Sequence, residues 1–238
     1  MTLTAPRMSH TLSRTIRIAA PAVAGLALLV PQAVAQKGKP PKPSGPAAVT
    51  LDARANPIVF GGITTLSGNV NVKGAGGVKV RFEQDATRPY GDSYKPSALT
   101  ATTTKNGKYS VAAKPLVNTQ YRAIAQTSPP VASAPRLVLV RTLVGLRVSD
   151  STPRRGSLVT FSGSVFPAHD GARALIQRRT RSGSFVTLAR PLLKDAGTAK
   201  SSYSRRLRVR TDGVYRVKVA GDGDHVNGYS RTRTIDVH

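Results

Sequence analysis

The stretch Tyr109–Ala125, "YSVAAKPLVNTQYRAIA", returns in altered form at Tyr203–Ala220, "YSRRLRVRTDGVYRVKVA". In both, a Tyr-Ser pair is followed twelve residues later by a Tyr-Arg pair. The correspondence extends in both directions. Val49-Thr50-Leu51 matches Val144-Gly145-Leu146, "GGITTLSGNV" from Gly61 matches "GSLVTFSGSV" from Gly156, and Gly77 matches Gly171, all at an offset of 94 to 95 residues. Landmarks held in register over this length identify a tandem duplication.

Each copy alternates with period two, as strands do. Thr64, Leu66 and Val70 share a face, as do Val159, Phe161 and Val165. Val78, Val80 and Phe82 point one way, with Ala172, Ala174 and Ile176 expected on the matching face of the second copy. Tyr215, Val217 and Val219 alternate with Arg216 and Lys218. Gly and Pro clusters such as "KGAGG", "KNGK", "TSPP" and "AGDGD" punctuate these runs. Seven or so short strands in about 95 residues predict an all-β chain of two β-sandwiches, with the repeated tyrosines facing the cores. The copies are expected at 49–142 and 143–238, joined without a linker through "RLVLVRTLVGLRV". No window outside the N-terminal segment reads as an amphipathic helix.

The run G-x-x-V-T-F-S-G-x-V from Gly156, D-G-V-Y-R-V from Asp212, and A-G-D-G-D-H followed by S-R-T resemble the immunoglobulin-like repeats of bacterial exported and surface proteins. The first copy matches more loosely through "LSGNV" and "NGKYS". The resemblance implies tandem sandwiches on or outside the cell, and it transfers no catalytic or binding residue. The paired cysteines and Trp of antibody domains are absent. A transthyretin-like or fibronectin-like sandwich is the close alternative.

Arg7, Arg14 and Arg17 precede the apolar run Ile18–Val30, which ends in Ala33-Val34-Ala35. A basic n-region, a short h-region and an A-x-A site predict a signal peptide over 1–35 and a mature start at Gln36. An uncleaved anchor over Ile18–Ala35 is the alternative, and no later segment is apolar for long enough to span. Residues 36–48, "QKGKPPKPSGPAA", predict a disordered, extended Pro/Lys-rich spacer. With no Cys in the chain, the domains must be stable on burial alone. These features point to a secreted or envelope-associated protein.

The net charge is +25, of which +22 follows the export segment: +3 in the spacer, +8 in the first copy and +11 in the second. Such a field favours anionic partners, an anionic cell-wall polymer or another polyanion, with affinity that falls as salt rises. In "SRRLRVR", Arg206, Arg208 and Arg210 fall on one strand face about 6.6 to 7 Å apart, a ladder of forks suited to phosphate or carboxylate. Arg178, Arg179 and Arg181 form a second cluster near a hairpin, while Arg205 takes the inward parity and is expected to snorkel at the sheet edge. The alternative reading is a solvated basic face that discourages edge pairing.

In "TRPYGDSYKP", Arg88, Tyr90, Tyr94 and Lys95 could stack on and hydrogen-bond a surface polysaccharide, and a protein partner is a further possibility; equally, loop tyrosines fold back on their own hairpins. No Trp is present and aromatics make up only 5% of the chain, which argues against strong stacking platforms. The candidate catalytic inventory is thin. Beyond the export segment the histidines are His169, His225 and His238, and no nucleophile motif such as G-x-S-x-G accompanies them. No cofactor is expected. Asp222, Asp224 and His225 offer too few oxygens for calcium and read as hairpin-turn residues, so no metal site is expected. His169-Asp170 would approach His225 only if their loops share one end of the sandwich. A non-enzymatic binding module is the reading these residues support.

Overall fold

A computed structural model describes residues 48–238; the signal peptide expected over 1–35 and the spacer expected over 36–48, apart from Ala48, lie outside the described residues. All regular structure there is β-strand. The first copy contributes β1 (Ala48–Val49), β2 (Asp52–Arg54), β3 (Ile58–Val59), β4 (Thr64–Asn71), β5 (Lys79–Asp85), β6 (Lys95–Thr102), β7 (Lys108–Ala113), β8 (Thr119–Ala125), β9 (Val131–Ala132) and β10 (Arg136–Val138). At the junction lies β11 (Val140–Arg141). The second copy contributes β12 (Leu143–Val144), β13 (Arg147–Val148), β14 (Leu158–Phe166), β15 (Ala174–Arg179), β16 (Phe185–Ala189), β17 (Lys194–Asp195), β18 (Ser201–Arg208), β19 (Gly213–Val219), β20 (Gly228–Tyr229) and β21 (Arg233–Ile235).

The two copies pair their strands alike. β4 pairs antiparallel with β7 and with β1 and β2, and β14 likewise with β18 and with β12 and β13. The facing sheets run β6-β5-β8-β10 and β16-β15-β19-β20, with β9 also on β8 and β21 also on β19. These are two immunoglobulin-like sandwiches, each closed over its own core. Leu66, Val70, Val80 and Phe82 anchor the first, and Phe161, Val165, Ile176, Val217 and Ile235 the second. Full burial of one such side chain is worth roughly 1.5–3 kcal/mol, and no disulfide supplements it.

The repeated tyrosines do more than fill the cores. Tyr109 lies directly opposite Gly68, and Tyr203 directly opposite Gly163. The Tyr203 hydroxyl donates to the Gly145 carbonyl at 2.6 Å, and the Tyr109 hydroxyl to that of Thr50. Thr50 and Gly145 sit in the breaks between β1 and β2 and between β12 and β13, where a carbonyl leaves the ladder and needs another donor. The glycines make room for it: a Cβ on Gly163 would lie 2.1 Å from the Gly145 oxygen, and one on Gly68 1.8 Å from the Thr50 oxygen. S-G-x-V and Y-S are therefore two halves of one device. Burial pushes the Tyr109 phenol up to about 12, and raises that of Tyr203 further still, so both hydroxyls stay donors.

One expectation from the alternation needs correcting. Ala172 is exposed, because β15 begins only at Ala174 and Ala172 belongs to the preceding turn, where its N–H donates to His169. Arg205, expected to snorkel at the sheet edge, keeps the parity of buried Tyr203 opposite Phe161 and is exposed. The junction has its own short sheet: β3 pairs parallel with β11, burying Ile58 and Val140, and the Asn118 side chain accepts the Val140 N–H at 2.8 Å. Among the described residues no helix is long and apolar enough to cross a membrane.

Candidate polyanion-binding surface

The strand parity of β18 continues through Ser202, Ser204, Arg206 and Arg208 on the outer face of its sheet. Across on β14 they meet Ser164, Ser162, Thr160 and Leu158 in turn. Arg206 and Arg210 are exposed and have no acidic partner among the described residues. Arg208 is exposed too, and its guanidinium donates to the Gly156 carbonyl at 2.7 Å.

Arg178 and Arg179 ride on β15, in the opposing sheet, and Arg181 lies in the turn between β15 and β16. Arg178 donates to Thr211 Oγ1 at 2.8 Å, one residue beyond Arg210. The two arginine clusters therefore lie on different sheets and approach only at this end.

Alongside the arginine ladder lies a groove of about 1110 Å³ that sequence parity does not reveal. Ser162, Ser164, Ser202 and Ser204 are among its lining residues, with Gly163 between the first two. None of these four hydroxyls has an intramolecular partner among the described residues. Five cations also line it: Arg147, Lys194, Arg205, Arg231 and Arg233, with no carboxylate beside them. Of these, Arg233 is tethered weakly to the Leu146 carbonyl at 3.4 Å. The equivalent groove in the first copy, about 710 Å³, has the matching Ser67, Gly68 and Ser110 but only Lys108 and Asp52 as charges. Asp52 is moreover paired with Arg136 at 3.0 Å. Duplication supplied two grooves of similar make, and only the second is wholly basic. Small hydroxyl side chains let a ligand approach the sheet, while forked donors at the rim suit polymer phosphates or carboxylates.

The loop of the first copy is differently committed. Asp85 is buried, and its carboxylate accepts the N–H groups of Thr87 at 2.9 Å, Gly91 at 2.6 Å and Ser93 at 3.3 Å. Those donors, Thr87 foremost, hold its carboxyl below the usual value against the opposing effect of burial. Tyr94 is spent internally: Arg122 stacks 4.1 Å from its ring centre and its hydroxyl donates to Gln120 at 2.7 Å. Tyr90 is partly buried at φ 54, while Arg88 and Lys95 are exposed. Arg122 also bonds Glu83 at 2.5 Å. The second copy repeats the arrangement: Arg216 stacks 3.7 Å from Phe185 and 4.7 Å from Tyr229 while donating to Gln177 at 2.9 Å. The arginine of each Tyr-Arg pair is thus an outer-face clamp.

Of the suspected turn residues, Asp224 is exposed and its carbonyl accepts the Asn118 N–H, while Asp170 accepts the wholly buried hydroxyl of Ser201 at 2.5 Å. Asp222 and His225 meet His169 instead. The loops do share an end of the sandwich.

No family model matches the chain, and no curated protein matches it. Among solved structures, a marsupial T cell receptor is similar at 10% identity over 81% of this chain and 73% of that one, with a TM-score of 0.34. A bovine butyrophilin is similar at 10% identity over 80% of this chain and 99% of that one, with a TM-score of 0.36. The description as immunoglobulin-like sandwiches stands on the strand pairing itself.

Proposed function

We propose that the chain is an exported, non-enzymatic binding protein of the cell envelope that holds anionic polymers on the outer face of its second sandwich. The observation that supports this reading is the second copy's groove, with five cations and no carboxylate around unengaged serines, next to Arg206 and Arg208 on the same sheet. Its counterpart in the first copy lacks that charge, which makes it an internal control. In this reading Arg206, Arg208 and Arg210 extend the groove along the strand, and Arg178, Arg179 and Arg181 steer the polymer without contacting the same segment. Tyr94 is already occupied by Arg122 and Gln120, so the sandwich face is favoured over the loop as the contact surface.

The test is binding to synthetic polyphosphate across a salt series, comparing wild type with Arg147→Glu/Lys194→Glu and with Lys108→Glu. Each lost phosphate contact flattens the slope of log affinity against log salt by about 0.7 to 0.9. The groove variant is expected to bind more weakly with a shallower slope, and Lys108→Glu to bind as wild type. Equal losses in the two variants, or none in the groove variant, would refute the assignment.

A further inference from the structure

His169 comes from the connection between β14 and β15, and Asp222 and His225 from that between β19 and β20; all three converge beside the first sandwich. Each imidazole has one nitrogen already assigned. His169 Nδ1 lies 2.8 Å from the Pro167 carbonyl, and His225 Nε2 lies 3.0 Å from the Leu116 carbonyl. A carbonyl only accepts, so these nitrogens carry the protons. In the neutral rings the opposite nitrogens, His169 Nε2 and His225 Nδ1, are then bare lone pairs. Both are buried without a hydrogen-bond partner, on side chains only 8% and 5% exposed.

These two lone pairs face one carboxylate. His169 Nε2 is 3.0 Å from one Asp222 oxygen, and His225 Nδ1 is 3.3 Å from the other. That carboxylate is held in place by the backbone N–H groups of Asp224 and His225, which donate to its Oδ1 at 2.8 and 2.6 Å. Two buried lone pairs facing a carboxylate repel it unless a positive charge lies among them. One divalent ion satisfies all three groups without that repulsion.

We propose that His169, Asp222 and His225 bind a divalent transition-metal ion of the zinc class. Two imidazole nitrogens and one carboxylate suit zinc rather than calcium or magnesium, which take oxygen ligands. With bonds of about 2.0 Å, neighbouring ligands of a tetrahedral zinc lie about 3.3 Å apart; the two N–O distances, one to each Asp222 oxygen, are of that size, so either carboxylate oxygen lies within reach of an ion held by the two nitrogens. The three donor atoms all fall within 4.8 Å of one another. The backbone carbonyls on the far ring nitrogens are the outer partners that orient metal-binding histidines. Asp222 is 46% exposed, which gives the ion an entry path and leaves water access to a fourth position.

The loop that carries two of the ligands also touches the first sandwich. His225 bonds Leu116, Asp224 accepts from Asn118 at 2.7 Å, and the Val226 N–H donates to Val140 at 2.8 Å. The ion therefore braces the junction between the two copies.

The experiment is calorimetric titration of chelator-stripped, tag-free protein with Zn²⁺, alongside thermal melts. The expected result is one zinc per chain, bound more tightly than about 1 μM, with a raised melting temperature. His169→Ala and Asp222→Asn should each weaken binding by roughly 100-fold or more and abolish the thermal shift. Asp222→Asn keeps the side-chain shape, so it decides the matter if His169→Ala does not fold. Failure of wild type to bind saturably below about 100 μM, or an unchanged affinity in folded Asp222→Asn, would overturn the site.

Discussion

Replacing Gly163 with Ala is the sharpest test of the Tyr–Gly device. The new Cβ would sit 2.1 Å from the Gly145 oxygen and 2.8 Å from the Tyr203 hydroxyl, inside the 3.0 Å that real Cβ contacts respect. The first obstacle is backbone, so no rotamer change relieves it. The break between β12 and β13 must move away from β14, and the 2.6 Å bond from Tyr203 is lost with it. Overpacking of this kind costs about 1–3 kcal/mol, and stranding a buried hydrogen-bonding pair about 1–2 more. The sum, roughly 2–5 kcal/mol, corresponds to a fall of about 10–30 °C in the melting temperature of a domain of this size. Urea unfolding followed by tyrosine fluorescence and scanning calorimetry both report it. Tyr203→Phe alone should cost about 1–2 kcal/mol, and the double variant should be no worse than Gly163→Ala by more than about 0.5, because the bond is already broken. A Gly163→Ala cost below about 0.5 kcal/mol, or strict additivity with Tyr203→Phe, would refute the reasoning.

Arg216→Ala removes stacking on Phe185 and Tyr229 and the bond to Gln177, and should destabilise by about 1–2 kcal/mol in urea, while Arg206→Ala stays within about 0.5. Equal effects of the two would deny Arg216 its clamping role. Arg216→Lys should recover only part of the loss, since an ammonium cannot stack and fork at once. Asp85 titrates below its ordinary value, so its stabilisation is complete above the unfolded carboxylate pKa of about 3.9 and is lost as pH falls through the lower folded value. Asp85→Asn should therefore destabilise at neutral pH and flatten the acid limb of the stability profile below about pH 4; superimposable limbs would count against it.

The duplication was legible because core parity and turn glycines repeat at one offset, and those positions are dictated locally. Tyr109 and Tyr203 could be read as core anchors, yet their hydroxyl partners could not. Thr50 and Gly145 lie 59 and 58 residues away, and only the pairing of Gly68 and Gly163 opposite the tyrosines brings them close. The ladder of Arg206 and Arg208 followed from alternation. The groove did not, because it joins serines on two strands to Arg231 and Arg233 from the other end of the domain. Ala172 departed from parity where a strand starts late. Tyr94 was read with its loop, but its partners Gln120 and Arg122 come from a strand 26 and 28 residues on. The meeting of His169 with His225 depended on which end of the sandwich their loops occupy, a question of topology rather than motif.

The claim that the second sandwich holds anionic envelope polymers is tested most directly by cosedimentation of the mature protein with the producing organism's cell walls. The walls would be compared before and after their anionic polymers are stripped, from about 50 to 500 mM salt. Binding should vanish with the polymers and with salt, and should fall in Arg147→Glu/Lys194→Glu. Salt-resistant binding to stripped walls, or no binding to intact ones, would contradict the account.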